Sequence, residues 1–206
     1  MSVATKALDE LHVDALREVA NIGTGHAVTS LSTLTGQPFT MSVPSFGVVS
    51  LDQFADVVGS LEEVAAAVYM PVEGDACGHV AFLFPFDCAC RLCDLMLCRE
   101  LGETKALDEM ECSVLTETGN ILISAFLNAI ADMADLRLPS APPGIAVDMA
   151  GAILASLAAV SPALGDHALT IMTRLVDREQ PIEGVFLFIP EPASLPTLLR
   201  AIGLDA

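Results

Sequence analysis

The stretch Asp14-Ala15-Leu16-Arg17-Glu18-Val19-Ala20-Asn21-Ile22 is written a second time as Ser113-Val114-Leu115-Thr116-Glu117-Thr118-Gly119-Asn120-Ile121. Asp14–Pro44 and Ser113–Pro143 align without a gap. Leu16 then falls on Leu115, Glu18 on Glu117, Asn21 on Asn120, Ile22 on Ile121 and Pro44 on Pro143. Self-similarity over such a span marks a duplicated structural unit. Further along, Gly78-His79-Val80-Ala81-Phe82-Leu83-Phe84-Pro85 resembles Glu183-Gly184-Val185-Phe186-Leu187-Phe188-Ile189-Pro190, at a different offset. An insertion or deletion therefore separates the two matches.

Working outward, each half reads in the same order. A long helix opens it, predicted over about 10–35 and about 109–134. Gly36 suits the C-terminal cap of the first, and Asp108 with Glu111 three residues on has the capping-box pattern at the start of the second. A short strand is expected near 39–43, with a weaker counterpart near 137–138. Shorter helices follow, near 51–60 and 147–159, and then two hairpins, 64–72 with 79–85 and 168–176 with 184–190. Helices near 87–98 and 194–202 close the halves, and the polar stretch 100–107 divides them. Hairpins set between helices argue for α+β with a mainly antiparallel sheet rather than βαβ units. Because each half supplies about three strands, the expectation is one continuous sheet. The whole of 1–206 then reads as one pseudo-twofold domain of two repeats, about 8–100 and 107–204.

Both long helices carry one polar set: Asp14, Glu18 and Asn21, then Ser113, Glu117 and Asn120. Spacings of four and three put each set on one helix face. A solvated polar face explains any single Glu-x-x-Asn. The duplication weighs against that explanation. The chain holds three asparagines, Asn21, Asn120 and Asn128, and two of them have Glu three residues before and Pro 23 residues after. Asn is also a mediocre helix former, so keeping it mid-helix twice points to a use. One turn further on that face stand Gly25 and Ser124, small enough for another protein to come close.

Composition narrows the classes. Nine basic against 27 acidic residues give a formal net charge of -18, which argues against nucleic acid and anionic membrane surfaces, both of which need clustered Lys and Arg. The charge is otherwise accounted for by solubility. Charged residues interrupt 1–20, so that stretch does not read as a signal peptide, and Ile145–Pro162 is too short and too interrupted for comfortable insertion into a bilayer. A cytoplasmic protein is expected. Cys88, Cys90, Cys93 and Cys98 lie close together, but no second CxxC or paired histidines accompany them, so they read as core residues of an amphipathic helix. His12, His26, His79 and His167 lack ligand spacing. Asp14 and Glu18 could share a cation, but Ser113 removes one carboxylate from the second copy, and no metal site is expected.

The pattern Asp or Ser, three residues, Glu, two residues, Asn, 22 residues, Pro resembles the signature of the CheC/CheX/FliY phosphatases. Asp14, Glu18, Asn21 and Pro44 fit it, as do Ser113, Glu117, Asn120 and Pro143. The likeness covers nearly the whole chain. Two intact motifs look most like CheC, whereas CheX carries one and works as a dimer, and FliY-type proteins add a rotor-binding domain for which the chain has no room. The resemblance implies hydrolysis of the aspartyl phosphate of a CheY-type receiver in a chemotaxis pathway. Asn21 and Asn120 would hold a water, Glu18 and Glu117 would fix the docking register, and Asp14 and Ser113 would contribute little. The two prolines would shape the chain. No cofactor of its own is implied, since the phosphorylated receiver supplies Mg²⁺. The receptor deamidase CheD is a second expected partner. The alternative is a nonenzymatic adaptor that binds CheY or CheD.

Overall fold

A computed structural model describes residues 10–36, 38–50, 60–160, 167–177, 180–194, 196–197 and 200. Helix α1 spans Glu10–Thr35 and is followed by strand β1, Thr40–Ser50. Strands β2 (Val64–Val72) and β3 (Gly78–Pro85) form a hairpin that runs into helix α2, Phe86–Met96. The second half repeats the order as α3 (Glu109–Ala134), β4 (Gly144–Met149), α4 (Ala150–Val160), β5 (His167–Asp177) and β6 (Gln180–Pro190). Both long helices and both hairpins stand where the sequence places them. The expected helix at 51–60, apart from the non-helical Ser60, and most of the one at 194–202 lie outside the described residues.

All six strands form one antiparallel sheet in the order β1-β5-β6-β3-β2-β4. Exchanging the repeats turns β1, β2 and β3 into β4, β5 and β6, and the order then reads the same from the other edge. The pseudo-twofold relation therefore runs between β3 and β6, the two GHVAFLFP-like strands, where Ala81 pairs with Leu187 and Phe82 with Phe186. Each repeat also lends its first strand to the other: β1 pairs with β5, and β4 with β2. Neither half closes its own sheet.

Helices cover both faces, so the central strands are nearly continuous apolar runs. Alternation sorts their side chains. Val68, Phe82, Phe84, Phe186 and Phe188 point into the larger core with Leu31, Leu115, Ile123 and Phe126 of α1 and α3. Ala65, Ala67, Leu83 and Leu187 face the smaller core with Ala150, Ile153 and Leu157 of α4. The thiols of α2 belong to this packing. Cys88, Cys90 and Cys93 are buried, and burial pushes the Cys93 thiol up to about 12, which leaves it unreactive.

Local corrections have identifiable causes. No strand forms near 137–138. Glu73 and Asp75 instead donate their N–H groups to the Pro139 and Arg137 carbonyls, the Asp75 carboxylate accepts from the Arg137 N–H at 2.8 Å, and Ser140 makes one isolated bridge to Val72. Pro139, Pro142 and Pro143 cannot donate to a ladder, so the true edge strand begins at Gly144 and the next helix at Ala150 rather than 147. The capping box is not made either. Asp108 has extended backbone at the start of α3 but makes no side-chain cap bond, and Glu111 pairs with Arg99, 2.7 Å off. Gly36 does end α1, with φ of 68° and its N–H on the Ser32 carbonyl.

The boundary at 100–107 is pinned rather than loose. Asp94, fully buried at the end of α2, accepts from the Gly102 N–H at 2.7 Å and the Thr104 N–H at 2.8 Å. Burial alone would raise its pKa. The bonds from Thr104, Gly102 and Glu103 outweigh that and hold the carboxyl below its ordinary value.

Candidate functional site on the two repeat helices

Residues two apart on an α-helix point about 200° apart, on nearly opposite sides. That relation places the motif. In α1, Ala20, Gly23 and Ala27 are buried, and Glu18, Asn21 and Gly25, each two residues earlier, are exposed. In α3 the buried row is Gly119, Leu122 and Phe126, and the row two residues earlier is Glu117, Asn120 and Ser124. Packing of one side against the core thus sets the rotation that turns each Glu-Asn pair outward. Glu117 is exposed, while Asn120 and Ser124 are half-buried.

Among the described residues no hydrogen bond engages the side chains of Glu18, Asn21, Glu117 or Asn120. All four remain available to a ligand. An exposed carboxylate one turn from a neutral amide can accept from a cation or N–H while the amide both donates and accepts. Two such pairs stand on helices that pack against each other. Gly25 has nothing within 4 Å of the place its Cβ would take, so the surface beside the first pair is open.

The supporting positions behave differently from one another. Ser113 is exposed, its Oγ donating to the Glu109 carbonyl at 2.8 Å, and the side chain of Asp14 lies outside the described residues. Pro44 sits in edge strand β1 where the register shifts between Ser42 and Ser45, a place where proline is tolerated. Pro143 directly precedes β4. Pro44 thus lies inside the first edge strand and Pro143 just before the second, both after the motif helices. Among the described residues no three His, Cys, Asp or Glu side chains gather as a metal site.

Two residues carry more of the site than their sequence signal allows. A Cβ at Gly23 would overlap the ring of Phe126, and a Cβ at Gly119 would stand 2.5 Å from Cβ and Cγ2 of Val68. Gly119 directly precedes Asn120 and reads in sequence as a loosened turn, at a cost of up to about 1 kcal/mol relative to Ala. In the fold it permits close contact with β2 instead. The available hint was a glycine inside the buried row of each helix.

Helix α3 is long and apolar enough by composition to cross a membrane, but most of it is buried within the fold.

The CheC-like family model matches residues 11–48, which hold the first motif helix and most of β1. CheY-P phosphatase CheC of Bacillus subtilis is 30% identical over 95% of this chain and 96% of its own length. CheC1 of Halobacterium salinarum is 22% identical over 95% of this chain and 98% of its own. Among solved structures, Thermotoga maritima FliY matches with a TM-score of 0.73 at 16% identity, covering 97% of this chain and 100% of that one. That match shows a shared fold. With the end-to-end relationship to the Bacillus protein, the paired Glu-x-x-Asn helices and the interleaved sheet have one source: the chain belongs to the CheC family.

Proposed function

We propose that the chain is a chemotaxis phosphatase that hydrolyses the aspartyl phosphate of a CheY-type receiver, with one reaction centre on each repeat helix. The observation that carries this reading is the outward, unengaged presentation of both Glu-Asn pairs. A phosphorylated receiver brings its own Mg²⁺ and Lys, so the phosphatase need supply only a water held in line with the phosphorus–oxygen bond. The amides of Asn21 and Asn120 hold that water: the carbonyl accepts one of its protons while the NH₂ contacts a phosphoryl oxygen. Glu18 and Glu117 accept a hydrogen bond from the receiver's Lys and fix the docking register. They act as positioners, not bases. Membership in a family whose Bacillus relative is named a CheY-P phosphatase supports a hydrolase over an adaptor. CheD as a second partner and a cytoplasmic setting belong to the same proposal.

Phosphate release from the phosphorylated receiver tests it, with Asn21→Ala, Asn120→Ala and the double variant. Each single change should remove one centre's share of turnover, and the double change should fall about 100-fold, towards the receiver's own decay. A double variant as fast as wild type rules out the water-positioning role. Binding without release above that decay, with and without CheD, would establish the adaptor instead.

A further inference from the structure

We infer that Gly119 is a positioning residue: its missing side chain lets α3 settle onto Val68 of β2 and thereby aims Glu117 and Asn120 at their substrate. The inference rests on the phosphatase reading for its activity assay, though not for its geometry. Gly119 lies between the two motif residues in sequence and on the opposite side of the helix, buried against the sheet. A Cβ there would stand 2.5 Å from Cβ and Cγ2 of Val68 and 2.9 Å from Cγ1, against the 3.5–4.0 Å at which carbon atoms rest.

Val68 cannot step aside. It is fully buried, and its strand is paired on both sides, with Phe82 of β3 and Ile145 of β4. The Cβ of a β-branched residue moves only with its backbone. An alanine at 119 must therefore lift or roll α3 just where the pair is displayed. The first centre is seated otherwise. Its residue before Asn21 is Ala20, buried with its methyl group in place, and its close approach comes at Gly23, against Phe126 of the other helix. Gly119 thus acts first on the second centre, about two turns of helix away from the Phe126 that meets Gly23.

The test reads each centre separately. In an Asn21→Ala background, where turnover comes from the second centre, Gly119→Ala should lower kcat about tenfold or more, since about 1 Å of misplacement is enough for such losses. In an Asn120→Ala background the same change should leave turnover within about twofold, because the first centre's own seat is intact. Adding Val68→Gly, which removes the opposing Cβ together with both methyl groups, to Gly119→Ala should restore most of the second centre's kcat, although a glycine in the buried strand leaves the protein less stable than wild type. Turnover then returns towards wild type while the melting temperature stays below it, a split that a merely structural role does not produce. Equal losses at both centres, or no recovery with Val68→Gly, would overturn the inference.

A second readout is independent of turnover. With three asparagines in the chain, the side-chain amide resonances of Asn120 and Asn21 can be followed together. Gly119→Ala should shift the Asn120 amide, Val68→Gly should return it, and Asn21 should stay in place. If wild type releases no phosphate above the receiver's decay, the phosphatase reading fails while these shifts still decide the positioning role. An unmoved Asn120 amide, or equal movement of both, defeats it.

Discussion

Helices α1 and α3 display the same two side chains from unlike seats. The inward row of α1 is small throughout (Ala20, Gly23 and Ala27), whereas the equivalent row of α3 is Gly119, Leu122 and Phe126. The two rows fit each other: Gly23 leaves the space that the Phe126 ring occupies, and that ring lies 5.2 Å from the ring of Phe186 in central strand β6. After duplication, one helix became the filler of the common core and the other the thin element that packs on it. The outward faces stayed alike while the inward faces diverged.

The largest way to break this division is to remove the filler. Phe126→Ala should cost about 3–5 kcal/mol, as loss of a fully buried aromatic ring does. Ala27→Gly, the change at the equivalent position of α1, should cost only about 1 kcal/mol through helix propensity. Urea unfolding of both variants measures the contrast, and similar costs would show that the two seats are equivalent after all.

A smaller effect concerns how α3 is entered. Asn in place of Asp94 can accept from only one of the Gly102 and Thr104 N–H groups, so Asp94→Asn should lower stability by about 1–3 kcal/mol at neutral pH. The sign with pH follows from the held-down carboxyl. The native state keeps this carboxyl ionised below the ordinary value of 3.8, so the stabilisation is complete above that value and disappears as pH falls through the lower folded value. The wild-type unfolding midpoint should therefore lose its margin over Asp94→Asn between about pH 5 and about pH 2. A constant margin across that range would mean that the charge is not what secures the linker.

The smallest change in stability should accompany Gly25→Leu. The position is exposed with open space around it, so stability should stay within about 0.5 kcal/mol or rise slightly with the better helix former. In the Asn120→Ala background, however, phosphate release through the first centre should fall as the leucine holds the receiver off. Unchanged turnover there would show that the receiver does not approach over Gly25.

Much of this molecule was legible beforehand, and the illegible remainder has a pattern. The helices at 10–35 and 109–134, the two hairpins and the outward row were readable because periodicity and turn chemistry act within a few residues. Gly36 ends α1 for an equally local reason. The box at Asp108 and Glu111 was also a local signal, but Asp108 makes no cap bond, and Glu111 takes the Arg99 guanidinium as a charged partner from outside the helix. The strand at Gly144 was missed because the prolines before it and the small residues after it resemble a loop leading into a helix. What makes it a strand is the waiting edge of β2.

By itself the sequence determined that the chain is a duplication, that its halves are α+β, and that scarce asparagines recur with glutamates on one helix face. Only the tertiary structure decided that each half lends its first strand to the other, that Asp94 pins the joint, and that Gly119 exists for Val68. The reason is physical: side-chain direction and backbone propensity are local and periodic, whereas a close contact depends on which distant surface arrives opposite it.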